Sequence, residues 1–239
     1  MLANAANIPI QSGHLDKDVH LPETSRYEMI DFIVDELPRW RDFSGRPPVT
    51  SETDLTDQLC DHLNSAARHS IGWDFLQFRT EVGDEQNKGR KIDLVPKPCA
   101  ATVWINGRRH TQFDTLMPIE CKRLPTPAGT DRDEREYVFS GKSSTGGIQR
   151  FKAGHHGAVH KLGAMIGYVQ EGNFNEWKNK VAGWINALIK LNITGWTSAD
   201  LPRPLREDEV HRISVLKSVH TRGETLSDIE LRHLWIQMN

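Results

Sequence analysis

The stretch Leu116-Met117-Pro118-Ile119-Glu120-Cys121-Lys122-Arg123-Leu124 places apolar residues on both sides of a short charged insert and reads as a β-strand. Successive strand side chains point to opposite faces, so Glu120 and Lys122 share one face, about 7 Å apart, while Ile119 and Cys121 share the other. A carboxylate and an ammonium on a central strand are costly to bury without a partner or a metal. A second candidate strand, Lys91-Ile92-Asp93-Leu94-Val95, repeats the anomaly with one acid between two apolar residues. If the two strands are neighbours, about 4.8 Å apart, Asp93 and Glu120 face one point in space. Two carboxylates at that point suit Mg²⁺, which takes oxygen ligands and keeps water in its other positions.

The chain of 239 residues has room for one large domain or two small ones with a full core. A net charge of −2 gives no general basic field, so any contact with a polyanion must rest on local clusters. The three cysteines, Cys60, Cys99 and Cys121, form no CxxC pair, which points to reduced thiols and away from a disulfide framework or a zinc ribbon. Residues 1–20 lack the build of a signal peptide and no apolar run approaches about 18 residues, so a soluble, cytoplasmic protein is expected.

Residues 1–22 read as a poorly ordered lead-in. Ser25 and Glu28 have capping-box spacing, and Tyr27, Ile30, Val34 and Leu37 follow at helical spacing until Pro38, where the helix is expected to stop. Arg41 to Val49 reads as a linker, giving residues 1–50 as an N-terminal extension with one helix and 51–239 as the main domain. A second helix runs from Ser51 to about Arg68 on a stripe of Leu55, Leu59 and Leu63. Glu52 falls on that inward side; it is either an acid complementing the helix dipole or part of a metal site.

Phe75 to Val82 alternates as a strand before the Asp93 strand. Asn106-Gly107 marks a hairpin inserted between the Asp93 and Glu120 strands. Residues 125–147 form a long loop, Gly147 to about Lys161 contains a helix, and Ala164 to Val169 is a buried strand. Asn173 and Glu176 cap an amphipathic helix. After a Pro-rich loop at 195–209, His211 to Val219 and Ile229 to Gln237 read as a closing hairpin.

The order helix, strand, strand, strand, helix, strand from Ser51, with Asp93 followed by Glu120-Cys121-Lys122, resembles the PD-(D/E)XK nuclease superfamily over about residues 51–170. Ile92 stands where that motif carries proline. The resemblance implies an α/β fold: a restriction-endonuclease-like αβββαβ core with a mixed sheet, here with the inserted β-hairpin, N-terminal helical extension and C-terminal β-hairpin. It implies that Asp93 and Glu120 bind Mg²⁺ (or Mn²⁺) with the carbonyl of Cys121 as a further ligand. It makes Lys122 the catalytic lysine and Glu52 the first-helix acid. The segments Gly147 to Lys152, Gly163 to Val169, Ser218 to Arg222 and His233 to Trp235 further resemble restriction-like proteins of bacterial defence loci.

The expected function is therefore metal-dependent endonucleolytic hydrolysis of DNA in antiviral defence, by a homodimer or beside a protein partner of the same system. The alternative is a nuclease-like subunit that mainly binds a protein or nucleic-acid partner. Substrate contacts are expected from Gln149, Arg150 and Lys152, from Lys88 to Lys91, and from Arg108 to His110. His156 and His160 share a helical face but lack the HExxH glutamate and a third ligand, which favours structural or phosphate-contacting histidines over zinc. The competing arrangement at the centre is a partly buried Asp93–Lys122 ion pair beside a solvated Glu120.

Overall fold

The computed structural model describes residues 17–87, 89–129, 132–141 and 145–239. Its architecture is mixed α/β. A seven-stranded sheet has the order β2-β3-β6-β7-β10-β9-β8, built from β2 (Leu76–Gly83), β3 (Lys91–Pro98), β6 (Ile119–Leu124), β7 (Leu162–Val169), β8 (Arg203–Asp208), β9 (Ile213–His220) and β10 (Ile229–Gln237). The β6–β7 and β7–β10 pairs are parallel and the others antiparallel, so the sheet is mixed.

Helices cover both faces. α1 (Ser25–Arg41) and α2 (Glu52–His69) share one apolar cluster with Ile119 and Cys121 of β6 and with Ala164, Ile166 and Tyr168 of β7. The alternate residues Leu124, Met165 and Val169 join α3 (Gly147–Lys152) and α4 (Phe174–Lys190) in a second cluster. This period-two division follows from the strand geometry, and it sends Glu120 and Lys122 to the α3 side. From α2 onward the elements run helix, strand, strand, hairpin, strand, helix, strand.

The inserted hairpin is β4 (Thr102–Ile105) and β5 (Arg108–His110), turned through Asn106 and Gly107, both at positive φ as this tight turn requires. It forms a separate three-stranded sheet with β1 (Asp18–Leu21), which runs parallel to β4. Residues 18–21 are thus ordered, contrary to the expected lead-in, because Val19 and Leu21 pack on the first core cluster.

Four further expectations are corrected. Thr24, not Ser25, precedes the first helical residue and makes no side-chain cap; Ser25 is buried in the helix. Pro38 lies inside α1 rather than ending it. A proline in the last turn removes one backbone hydrogen bond, and burial of Leu37, Trp40 and Arg41 holds that turn helical. α3 ends at Lys152 because Gly154 and Gly157 adopt positive φ. The 195–209 segment contains a 3₁₀ turn at Ser198–Asp200 and the edge strand β8, whose exposed polar residues, with Pro204 beside an irregularity in the ladder, give no apolar alternation.

Gly167 on β7 lies against the buried Trp235 indole; a Cβ there would stand 2.5 Å from Trp235 Cδ1. The β6–β7–β10 ladders leave the strand no room to retreat. Gly167→Ala is expected to destabilise the fold by about 1–3 kcal/mol, read as a lower urea midpoint at unchanged m-value. A wild-type midpoint would contradict this packing.

Candidate active site

β3 and β6 pair at Leu94 and Ile119. Two residues further along β6, Asp93 Oδ2 accepts the Cys121 backbone N–H at 2.8 Å, so a side chain completes the junction. The carboxylate is thereby fixed at the margin between the strands.

Lys122 Nζ occupies the centre. It lies 2.9 Å from Glu52 Oε1, 2.9 Å from Glu120 Oε1 and 3.5 Å from Asp93 Oδ2, and donates to the Cys121 carbonyl at 2.8 Å. Glu52 reaches it from the first turn of α2, and its other oxygen accepts the Arg123 N–H. Ser51 caps α2 through the Asp54 N–H, fixing where that turn begins. Glu52 is thus a first-turn acid of α2 whose carboxylate also contacts Lys122 and the Arg123 backbone.

Glu120 is fully buried, so the arrangement with a solvated Glu120 does not occur. Arg150 Nη1 of α3 donates to its Oε1 at 2.6 Å. His156 Nδ1 stands 3.0 Å from its Oε2, yet off the hydrogen-bond direction, leaving both atoms without a hydrogen bond. Gly147 makes room for this approach: a Cβ there would meet Met165 Cε at 2.5 Å and the Tyr137 carbonyl at 3.0 Å.

The surroundings separate the ionisation behaviour of the two strand acids. Burial, then the neighbouring Glu120 charge, raises the Asp93 carboxyl to about 6, against the pull of Lys122 and the Cys121 N–H. Burial would also raise Glu120, but Lys122, His156 and Arg150 bring it down to about 2. Burial would lower Lys122, yet Glu120, Asp93 and Glu52 hold its ammonium well above the usual lysine range. Burial pushes the Cys121 thiol up, and its side chain belongs to the opposite apolar cluster.

Asp93, Glu120, Lys122, Glu52 and Arg150 are thus brought together. Gln149 and Lys152 are not: Gln149 Oε1 accepts the Ser140 and Gly146 N–H groups, and Lys152 pairs with Asp200 at 2.5 Å. Arg90 and Lys91 line a cleft of ≈ 450 Å³ with Asp93, Arg150 and His156. Lys88 lies outside the described residues. Arg108 and Arg109 are exposed on the small sheet, whose His110 is buried. His160 faces Glu85 at 3.2 Å, away from His156's partner. His156 was singled out in sequence only for its spacing to His160; its contact with Glu120 arises after the Gly154 turn and has no local signature.

Among the described residues, no three His, Cys, Asp or Glu side chains stand in a ready-made metal-ligating group. The carboxylates converge on the ammonium instead. Asp93 and Glu120 nevertheless supply hard oxygen donors, and Glu120 Oε2 is a buried acceptor with no hydrogen bond. That donor chemistry fits Mg²⁺. No helix among the described residues is long and apolar enough to cross a membrane. No protein-family model, curated protein or solved structure matches the chain.

A carboxyl with a raised folded pKa contributes stability that is present below its unfolded value of 3.8 and lost as pH rises through about 6. Asp93→Asn retains an oxygen for the Cys121 N–H and removes the charge. It is expected to raise stability at pH 7 by about 1–2 kcal/mol, with the gap closing as pH falls from 6 to 4. Urea unfolding across that range checks the sign; a variant less stable at pH 7 would show that Asp93 ionisation is favourable.

Proposed function

We propose that the chain is a metal-dependent endodeoxyribonuclease of the PD-(D/E)XK type, with a restriction-endonuclease-like core between α2 and β7. The observation that carries this reading is the convergence of Glu52, Asp93 and Glu120, from three separate elements, on the Lys122 ammonium. The element order from α2 and the cleft bearing Arg90, Lys91 and Arg150 beside Asp93 support it further.

Asp93 and Glu120 would hold Mg²⁺ or Mn²⁺. When bound, the ion lowers the pKa of a water and offsets charge on the scissile phosphate. The protein's own groups divide the remaining work. Lys122, paired with three carboxylates, would stabilise developing negative charge as a cation and orient the attacking water. Glu52 fixes the ammonium at Nζ and ties it to the Arg123 backbone. Arg150 donates to Glu120 and joins Lys122 and His156 in favouring its ionised form. Arg90 and Lys91 contact backbone phosphates, which carry little sequence information. A role in defence against foreign DNA follows the resemblance of the C-terminal segments.

Supercoiled plasmid incubated with Mg²⁺ or Mn²⁺ is expected to be cut, and EDTA to abolish cutting. Glu120→Ala and Lys122→Ala, each checked for a retained far-UV spectrum, are expected to lose at least about 10²-fold in rate. Cutting in EDTA, or cutting that survives Glu120→Ala, would contradict the assignment. A wild-type protein that binds DNA or a partner without cutting under any metal would favour the binding subunit.

A further inference from the structure

On the far side of α3 a chain of buried polar groups crosses the apolar cluster. Trp235 Nε1 donates to Tyr137 Oη at 2.7 Å, and Tyr137 Oη contacts His233 Nδ1 at 2.8 Å. His233 Nε2 contacts Ser218 Oγ at 2.8 Å, which contacts His220 Nε2 at 2.6 Å. His220 Nδ1 contacts Asp200 Oδ1 at 2.6 Å, and Lys152 Nζ closes the chain on that same oxygen at 2.5 Å. Ser218, His220, Asp200, His233 and Tyr137 are at most 3% exposed. A serine, histidine and aspartate in this order resemble a nucleophilic triad, but Ser218 and His220 are buried, which keeps a substrate from the serine oxygen.

Donor and acceptor rules fix every proton. A carboxylate only accepts, so His220 carries its proton on Nδ1 and its Nε2 must accept from Ser218. The serine has one hydrogen and has spent it, so His233 Nε2–H donates to Ser218. His233 Nδ1 therefore accepts from the Tyr137 hydroxyl, whose oxygen accepts from Trp235. Both imidazoles are neutral and carry their protons on opposite nitrogens. A second proton on either ring would leave the Ser218 or Tyr137 hydroxyl hydrogen with no acceptor in the chain. Burial, which lowers His220 and brings His233 down to about 3, acts in the same direction.

The chain grips α3 at both ends. Lys152 is its last residue. At its start, the N–H groups of Gly147, Ile148 and Gln149 donate to the carbonyls of Glu136, Tyr137 and Val138, so the Tyr137 anchor holds the segment that receives them. Between these ends α3 carries Arg150 to Glu120. We propose that the buried chain Lys152–Asp200–His220–Ser218–His233–Tyr137 is a positioning device that fixes α3 against the β9–β10 hairpin and thereby holds Arg150 on Glu120. Its bearing on catalysis rests on the nuclease reading; its bearing on Arg150 does not.

The test therefore uses a readout free of DNA and metal. In wild type at pH 7, two-bond ¹⁵N spectra are expected to show His220 protonated on Nδ1 and His233 on Nε2. A shared tautomer, or a cation, overturns the chain. Ser218→Ala and Tyr137→Phe are expected to speed hydrogen exchange of the Arg150 guanidinium by about tenfold, equivalent to roughly 1.4 kcal/mol, and Ser218→Thr to restore slow exchange. Val181→Ala, which loosens the same apolar cluster through α4 without touching the chain, is expected to leave Arg150 unchanged. Wild-type exchange in both Ser218→Ala and Tyr137→Phe, or equal acceleration in Val181→Ala, overturns the proposal. Should either variant fail to fold, the other and the wild-type tautomers still decide it. Arg150 loosened in a protein that never cuts DNA would sink the nuclease reading and leave this one standing.

Discussion

The Lys122 ammonium is the constraint around which the centre of the molecule is arranged. It is 8% exposed and in ion-pair contact with three carboxylates, one of them fully buried. Taking such groups out of water costs several kcal/mol per ion before any attraction is counted, and removing one partner of a buried pair typically destabilises by about 3–5 kcal/mol. An apolar replacement of the whole cluster would give an easier core. The cluster persists at the margin between β3 and β6, where Glu52 and Asp93 remain partly exposed and the charges meet a cleft. Perturbed ionisation at a cleft is the arrangement in which active-site groups concentrate.

Glu120 and Asp93 show how a few ångströms of environment separate two like groups. Glu120 sits deeper, yet it has Lys122, Arg150 and His156 around it and stays ionised far into acid. Asp93 is raised first by burial and then by Glu120 as a repulsive neighbour, and at 3.5 Å from the ammonium it has the weaker hold on Lys122. The ammonium cannot satisfy all three acids equally. The acid it serves least is the one whose charge a further cation would most stabilise.

Much of this frame was legible in the sequence because it rests on local chemistry. The charged insert of β6, the lone acid of β3, the Asn106-Gly107 turn and the leucine stripe of α2 each carry a short-range signal, and each element was found where expected. β1 and β8 were not legible: both are short edge strands, β1 with only Val19 and Leu21 as an apolar signal and β8 with no apolar alternation of its own. The site was half legible. Strand alternation placed Glu120 and Lys122 on one face, but nothing local distinguishes Arg150, which turns to Glu120, from Lys152, which turns to Asp200. That choice is made by what lies on either side of α3. Ser218, His220 and His233 likewise read as polar positions on a closing hairpin; only the layer formed by α3, α4 and the 3₁₀ turn makes them interior.

α3 therefore stands between two polar systems with opposite electrostatic designs. On one side, formal charges crowd together and acquire unequal ionisation. On the other, neutral groups with matched donors and acceptors lead to a single ion pair. Only six residues long, α3 has too few intrahelical hydrogen bonds to be stable alone, and its first N–H groups depend on the carbonyls of residues 136–138. Its position must come from tertiary anchors. The apolar contacts of Ile148 and Phe151 supply burial but little direction, since dispersion and hydrophobic contact are non-directional. Hydrogen bonds are directional, and a chain with every donor and acceptor matched admits one arrangement of its members. Arg150 is where that fixed geometry is delivered to the charge cluster.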